Sequence, residues 1–193
     1  MKEAPDDPEL FRQVIERIPE AIWMSDPEKN QIFYVSPGYE KIWGRTPESL
    51  YKSPRSWLDA IHPEDRDRVL KAAMTQQVQG EYSEEYRIIR PDGTMRWIHD
   101  RAFPIQGTLG RVYRIVEIAE DITERKRAEA ILRESEERFS EVVTIAPDAI
   151  ILVDETQRIV FFNKGAERAF GYEASEVLGQ PLDLLLPSRF VEA

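Results

Sequence analysis

The stretch 82–126, YSEEYRIIRPDGTMRWIHDRAFPIQGTLGRVYRIVEIAEDITERK, decides the fold because it holds three apolar, partly alternating segments separated by two turn signals. The segments are YSEEYRIIR, TMRWIHDRAFPIQ and RVYRIVEIAEDI, and the turns are PDG and GTLG. Short Gly-containing turns between such segments are typical of antiparallel hairpins. The sequence therefore predicts three successive antiparallel strands, and the third leads into a charged helix with no Gly or Pro between them.

The residues before this stretch predict a helix, a hairpin and several further helices. Apolar residues at helical spacing predict a helix over 8–18, which Pro19 ends. The segments AIWMSD and QIFYVS flank the turn PEKN and predict two strands of a hairpin. Short helices are expected around PGYEKIW and PESL. A longer helix is expected over HPEDRDRVLKAAMTQQV, with Pro63 at its first position.

Part of this pattern occurs twice in the chain, which indicates an internal repeat. RIPEAIWMSD at 17–26 resembles IAPDAIILVD at 145–154, and IFYVSPGYEKIWG at 32–44 resembles IVFFNKGAERAFG at 159–171. The second copy has no counterpart of the strand-rich stretch 82–122. We therefore expect this sequence to be a fragment of a longer protein.

The order of hairpin, short helices, longer helix and three strands resembles the PAS family. The motifs that carry the resemblance are NQIFYVSPGYEKIWG, WLDAIHPEDR, EYRIIRPDGTMRW and EDITERK, the last with Asp121, Ile122 and Thr123 in succession. The resemblance implies an α+β fold in which helices cover one face of a five-stranded antiparallel sheet. PAS domains are sensory and dimerisation modules, mostly of bacterial sensor kinases, cyclic-dinucleotide enzymes and transcription regulators.

The resemblance also divides the chain into three parts. A first PAS domain occupies 1–123 and includes the N-terminal helix at 8–18. A helical signalling linker follows at 121–146. An incomplete second PAS domain, the front half of the fold, occupies 138–193.

Composition excludes several partners and chemistries. The net charge of -10 argues against nucleic acid or an anionic membrane surface as the main partner. No cysteine is present, so disulfides and cysteine-ligated metals are excluded, and a cytoplasmic location is expected. No apolar run approaches the roughly 18 residues of a membrane span. Nucleotide-binding, hydrolase, metalloprotease, kinase and cyclase signatures are absent, so no enzyme activity is expected within these 193 residues.

The turn GTLG suggests a register for the last two strands. If Gln106 pairs with Arg111, then Arg96 faces Asp121 and Asp100 faces Glu117. By resemblance to flavin-binding PAS domains, this set points into the interior. The alternate set points outward and is apolar, so it requires a cover from the helix at 8–18 or from a second subunit; it consists of Trp97, Phe103, Ile105, Val112, Val116 and Ile118.

The predicted interior is a candidate pocket for a small-molecule ligand. Its two facing carboxylates, Asp100 and Glu117, repel each other, so one of them should bind a proton, a cation or a ligand. The alternative is that one carboxylate reaches solvent or pairs with Arg90 or Arg96. The pocket candidates are Trp23, Tyr34, Tyr86, Ile88, Ile98, Asp100, Tyr113, Ile115, Glu117 and Ala119.

The resemblance implies specific residue requirements for each cofactor that PAS domains bind. Light-sensing flavin domains need a reactive cysteine, and photoactive-chromophore domains attach through cysteine, so both are excluded here. Haem-binding PAS domains use a histidine on the long helix. His62 precedes Pro63, where a helix N-cap is expected, and His99 falls on the outward face, so haem is disfavoured. Non-covalent flavin or a small organic acid stays open, and no metal site is predicted.

The segment that joins the third strand to the charged helix is the predicted relay, formed by Arg96, Asp121, Ile122 and Thr123. Asp121 and Glu124 fit a capping box for the helix. Beyond it, coiled-coil spacing predicts the seam of a parallel homodimer, against the alternative of a monomeric helix with a solvated face. The seam residues are Ala128, Leu132, Ser135, Phe139, Val142 and Ala146.

These features predict the sensory and signal-relay region of a multidomain signalling protein. We expect the full-length protein to be a sensor histidine kinase. A non-sensing dimerisation scaffold is the alternative of a different class. A diguanylate cyclase is the alternative output.

Overall fold

The computed structural model describes residues 8–186, apart from the side chains of Pro8 and Phe11. The chain divides into two compact units at Arg127 and Ala128. Among the described residues, no helix has both the length and the apolar character needed to cross a bilayer.

The first unit contains the complete sheet. Its elements are α1 (Pro8–Arg17), β1 (Ala21–Ser25), β2 (Ile32–Val35), α2 (Gly38–Trp43), α3 (Pro47–Lys52), α4 (Trp57–Ala60), α5 (Pro63–Gln76), β3 (Ser83–Ile89), β4 (Met95–Gln106) and β5 (Val112–Asp121). The strands are antiparallel and follow the order β2-β1-β5-β4-β3. The α+β fold with a five-stranded antiparallel sheet that the resemblance implied is therefore confirmed.

The core lies between the inner face of the sheet and the helices. Three aromatic rings occupy it: Trp23 meets Trp43 edge-on at 5.5 Å, and Tyr39 stacks on Trp43 at 5.1 Å between ring centroids. Val69 of the long helix α5 is fully buried against the same cluster. Burying such rings is the main favourable term for a sheet covered on one face.

The register of β4 and β5 differs from the prediction by two residues. Asp100 lies opposite Ala119, and Ala102 lies opposite Glu117. One residue of the difference comes from the loop, because Gln106 pairs with Val112 rather than Arg111. The other comes from a bulge between the pairs Gln106–Val112 and Ile105–Arg114, where Tyr113 is the extra residue.

The two one-residue shifts cancel in side-chain parity, so Asp100 and Glu117 still point inward. They do not cancel within the bulge itself. Tyr113, a predicted pocket residue, is 49% exposed, whereas Val112, predicted to face outward, packs against the core. Both assignments were therefore wrong for the same reason.

The second unit is smaller. Its helix α6 (Thr123–Ile145) begins two residues after the end of β5 and thus spans the division between the units. Then follow β6 (Ile151–Val153), β7 (Ile159–Phe162), α7 (Lys164–Phe170), α8 (Ala174–Val177) and a 3-10 helix (Leu182–Leu185). The pair β6-β7 forms a two-stranded sheet around a small core of Ile159, Phe162, Ala166 and Val177. The last part of the predicted second domain, 187–193, lies outside the described residues.

Candidate sensory site and relay

Two carboxylates occupy the interior of the first unit. Asp100 in β4 and Glu117 in β5 are both fully buried. Glu117 forms an ion pair with Lys29 and accepts a hydrogen bond from Gln77 Nε2 at 2.8 Å. The cation that neutralises it thus comes from the β1–β2 turn. The expectation that one carboxylate reaches solvent or pairs with Arg90 or Arg96 was wrong.

The second carboxyl group, Asp100, forms no ion pair with any residue that the structure describes. Tyr86 and Tyr82 donate to its Oδ2 at 3.0 and 3.3 Å, and its Oδ1 has no partner among the described residues. Burial, and then the charge of Glu117, raise the pKa of Asp100 to about 8. This raised pKa favours the protonated form of Asp100 near neutral pH, beside the ion pair Lys29–Glu117.

The turn that carries Lys29 is built to point it inward. Lys29 has φ 58°, the left-handed region that a non-glycine residue adopts at a cost of about 1 kcal/mol. The Asp26 carboxylate holds this turn by accepting the backbone N–H groups of Asn30 and Gln31 at 2.7 and 2.8 Å. The ammonium of Lys29 also lies 5.8 Å from the ring of Trp57. Lys29 thus connects the buried acids to the edge of the fold.

An open pocket of about 590 Å³, here called the rim pocket, lies beside this turn. The β1–β2 turn, the segment around α4 and the helix α5 surround it. Its lining residues are Pro27, Glu28, Lys29, Asn30, Arg55, Trp57, Leu58, Leu70, Ala73 and Met74. None of the predicted pocket residues lines it, because the prediction considered only the strands.

Most of the predicted pocket residues do lie together in the interior. Besides the two acids, the buried ones are Trp23, Tyr86, Ile88, Ile98, Ile115 and Ala119. Tyr34 does not join them. A bulge between Met24 and Ser25 places Ile32 and Val35 in the core and leaves Tyr34 in a groove against α1, with Arg12 and Ile15. A ligand-binding role for the buried set stays a prediction.

Sequence reasoning missed three residues of the polar interior. Tyr82 could have been found, because it is four residues from Tyr86 and side chains at that spacing along a strand share a face. Lys29 and Gln77 carry no such signal. Lys29 lies in a turn and Gln77 follows the last residue of α5, so each reaches the acids from a distant part of the chain.

The histidines occupy structural positions. His62 accepts the backbone N–H of Glu64 through Nδ1 at 3.3 Å, so the N-cap prediction is confirmed. His99 Nε2 lies 3.0 Å from Ser83 Oγ and is not part of the buried core. Both histidines thus have structural partners, and the disfavoured haem stays a prediction. Within residues 8–186, no group of three or more His, Asp or Glu side chains could hold a metal ion.

The relay segment is attached to β4 at two points. Arg96 forms an ion pair with Asp121. The prediction that the two residues lie directly opposite each other was wrong, because Asp121 lies opposite Ile98. Thr123 accepts the backbone N–H of Trp97 through Oγ1 at 3.0 Å, and Ile122 N–H donates to the Trp97 carbonyl at 2.9 Å. Burial alone raises the pKa of Asp121, but hydrogen bonds from Thr123 and the pair with Arg96 outweigh it and lower that pKa.

The start of α6 is held by side chains as well as by the backbone. Asp121 Oδ1 accepts the Thr123 N–H at 3.0 Å, which satisfies one of the free donors of the helix. The predicted capping box does not form, since Glu124 pairs with Arg127 at 2.6 Å. Glu85 of β3 pairs with Arg125 at 2.6 Å and with Lys126. The first turn of α6 is thus joined to β3 and β4 together.

The predicted seam along α6 is exposed in the single chain. Leu132 is 61% exposed, Phe139 70% and Val142 64%; Ala128 and Ser135 are also exposed. Large apolar side chains at this spacing are typical of a helix face that packs against another helix. The homodimer stays a prediction.

Comparisons with known proteins agree with this fold and tandem order. Family models described as the PAS fold match residues 32–119 and residues 137–192. The sensor protein FixL of Bradyrhizobium diazoefficiens is 31% identical over 132 residues, 68% of this chain and 26% of FixL. The probable diguanylate cyclase DgcE of Escherichia coli is 29% identical over 158 residues, 77% of this chain and 14% of DgcE. The chain thus spans about a quarter or less of these relatives.

A solved structure gives the same result at the level of the fold. The sensory box histidine kinase/response regulator of Burkholderia thailandensis is 32% identical, with a TM-score of 0.54, and the match covers 69% of this chain and 99% of that one. With two successive matches to the family, the five-stranded antiparallel sheet and the Asp121-Ile122-Thr123 segment at its end, this chain belongs to the PAS family.

Proposed function

We propose that this chain is the sensory and relay region of a multidomain signalling protein whose output enzyme is a histidine kinase. The double attachment of the relay segment carries the proposal. Arg96 and Trp97 of β4 hold Asp121 and Thr123, so a shift of β4 is passed to the first turn of α6. The buried Asp100 lies on the same strand, four residues after Arg96, which links the interior to the relay.

A diguanylate cyclase is the second candidate output, and the similarity to DgcE favours it. The two outputs differ in their chemistry. A kinase transfers phosphate from ATP to the protein itself, whereas a cyclase joins two GTP molecules. An assay of the full-length protein for phosphate transfer from ATP and for the joining of GTP distinguishes the two outputs. A ligand of the first unit and a cytoplasmic location stay predictions of the same proposal.

A double-mutant cycle tests the relay. We expect Arg96→Ala and Asp121→Ala to be non-additive in the free energy of unfolding, with a coupling of about 1 kcal/mol, because each removes the same ion pair. We also expect Arg96→Ala alone to change ATP- or GTP-dependent output. Arg111→Ala is the matched control, since the exposed Arg111 forms no ion pair within the described residues. Additive effects with unchanged output would reduce Asp121 to a helix cap.

The exposed seam supports a parallel homodimer as the form in which the relay operates. We expect Leu132→Glu and Phe139→Glu to shift the protein toward monomer, because each places like charges opposite one another across the seam. Ala130→Glu adds the same charge to an exposed position off the seam and should leave the mass unchanged. Sedimentation equilibrium reads the mass directly. An unsubstituted protein that is monomeric at micromolar concentration would refute the dimer.

A further inference from the structure

The rim pocket is amphipathic. Leu58, Leu70, Ala73 and Met74 give it an apolar wall, and Met74 is 76% exposed at its lip. Cationic groups also line the pocket: Lys29 of the β1–β2 turn and Arg55. A pocket with a largely apolar lining and a few polar groups is the usual form of a small-molecule site.

Two residues that line the rim pocket carry donors without a strong acceptor among the described residues. Trp57 is 98% buried, and its indole N–H has no hydrogen-bond partner within the part of the chain that the structure describes. Within residues 8–186, Arg55 donates only to neutral oxygens, the Glu28 carbonyl at 3.3 Å and Asn30 Oδ1 at 3.2 Å. A buried donor without an acceptor is costly, so an acceptor supplied by a ligand is favoured at this place.

Lys29 lies between the rim pocket and the buried acids. Its ammonium forms the ion pair with Glu117, yet the residue also lines the pocket. An anion in the pocket would therefore compete with Glu117 for the same cation. The exposed carboxylate of Glu28 is the only anionic side chain among the described lining residues.

We propose that the rim pocket binds an organic monoanion with an apolar body, whose carboxylate accepts hydrogen bonds from Trp57 and Arg55 and draws Lys29 away from Glu117. The apolar body lies against the wall from α4 and α5. This inference rests on the proposed sensory function and names the ligand class and the residues that recognise it.

Proton uptake follows when the ligand anion competes with Glu117 for Lys29. Without Lys29, the described partners of Glu117 are reduced to the neutral donor Gln77. From β3 and the residue before it, the phenols of Tyr82 and Tyr86 face Asp100. A fully buried carboxylate without a cation binds a proton instead. The ligand therefore enters with a net uptake of protons. The change occurs on β5, the strand that ends at Asp121.

Isothermal titration calorimetry of the whole chain tests this with octanoate and its neutral isostere octanamide. We expect octanoate to bind at least about 10-fold more tightly, because hydrogen bonds to a charged acceptor are stronger. Titrations near pH 7 in two buffers of different ionisation enthalpy give the number of protons taken up. We expect net uptake with octanoate and none with octanamide.

Variants separate recognition from folding. Lys29→Met combined with Glu117→Gln removes both buried charges together, so neither is left unpaired. This double variant should lose the proton uptake and still bind octanamide, and its preference for octanoate should fall to the part that Arg55 and Trp57 provide. Arg55→Gln should weaken octanoate alone. Glu28→Gln, the matched control at the same rim, should keep both the preference and the uptake.

Equal affinity for the two probes, binding of octanoate without proton uptake, or absence of octanoate binding would each overturn the proposal. The calorimetry requires no output enzyme, and the Arg96→Ala test of the proposed function requires no ligand. A failed octanoate titration with an effect of Arg96→Ala on output would therefore remove the ligand class and leave the sensory function in place.

Discussion

The two hairpins of this chain, β1-β2 and β6-β7, have similar backbones and different environments. Each has a bulge before its third pair of residues, and each turn holds a non-glycine residue in the left-handed region, Lys29 at φ 58° and Gln157 at φ 61°. The second strands even share one order of burial: buried, exposed, half-buried, buried. The first strands differ. Ser25 is fully buried, whereas its counterpart Val153 is 41% exposed.

The difference comes from a strand that lies far away in the sequence. On its second edge, β1 pairs with β5, so that Trp23 lies opposite Glu117 and Ser25 opposite Ile115. Within residues 128–186, β6 pairs only with β7. The local sequence thus determines the shape of a PAS hairpin, and the late strands determine whether it is buried.

The side chain after each hairpin shows how the smaller unit compensates. Ser36 Oγ accepts the Ile22 N–H at 2.9 Å. Its counterpart Asn163 accepts the N–H groups of Ile150 and Ala166, both at 2.8 Å, and donates to the Val143 carbonyl at 2.9 Å. The buried side-chain amide of Asn163 therefore connects the end of α6, the hairpin and the start of α7. In the larger unit, the five-stranded sheet fixes the hairpin instead.

Hydrogen exchange should give the largest contrast between the hairpins. We expect the amides of β6 and β7 to exchange roughly 1000-fold faster than those of β1 and β2, a difference of about 4 kcal/mol in opening free energy. The reason is that β6 pairs with no other described strand than β7 and that the core of the second unit is small. Mass spectrometry of peptides covering 21–35 and 151–162 measures it. Equally slow exchange in both would show that β6 is protected by contacts outside the two-stranded sheet.

Substitution of the first glycine after each hairpin should break one unit at a time. A Cβ at Gly38 would lie 2.1 Å from the Glu20 carbonyl oxygen, and one at Gly165 would lie 2.1 Å from that of Asp148. We expect Gly38→Ala to destabilise the first unit by about 3 kcal/mol through overpacking. Gly165→Ala should abolish protection of 151–162 and leave the unfolding of the first unit unchanged.

Gly107→Ala is the matched control for both substitutions. Its Cβ would meet its nearest atom at 3.8 Å, an ordinary contact. Its effect should stay within about 0.5 kcal/mol. If Gly38→Ala were equally mild, the close approach to Glu20 would not constrain the fold.

The pH dependence of stability should distinguish the units by a smaller amount. The pKa of Asp100 is raised in the folded state, so that state keeps a proton which the unfolded chain releases near pH 4. The contribution of the Asp100 proton to the free energy of unfolding is fully present below pH 4 and is lost as pH rises toward about 8. Asp100→Asn mimics the protonated form, so its advantage over the unsubstituted protein should grow by about 2 kcal/mol from about pH 6 to about pH 7.5.

Urea unfolding at several pH values measures this advantage. The second unit, in which no described carboxylate is fully buried, should show no comparable trend over the same range. A constant difference between Asp100→Asn and the unsubstituted protein would mean that Asp100 is ionised in the folded state.

Much of this fold could be predicted from sequence because turns and parity are local properties. PDG, GTLG and Pro63 mark element ends, and alternation along β4 and β5 places Asp100 and Glu117 on one face, which the resemblance to flavin-binding PAS domains assigned to the interior. The register could not be predicted, since neither a longer loop nor the bulge at Tyr113 changes the apolar pattern. The partner of Glu117 could not be predicted either, because Lys29 lies in a turn 88 residues away and only the closed sheet brings them together.

The loop of the β4–β5 hairpin and the bulge at Tyr113 each shift the strand pairing by one residue. Together they imply a rule for how the length of this hairpin varies in evolution. One inserted residue between Gln106 and Arg114, taken alone, would exchange the inward and outward faces of β5. Glu120 and Ile118 would then point inward and Glu117 would point outward. Two changes of one residue each restore the inward face. Lineages that lengthen or shorten this hairpin should therefore do so by even steps, or should gain and lose the bulge together with a loop residue.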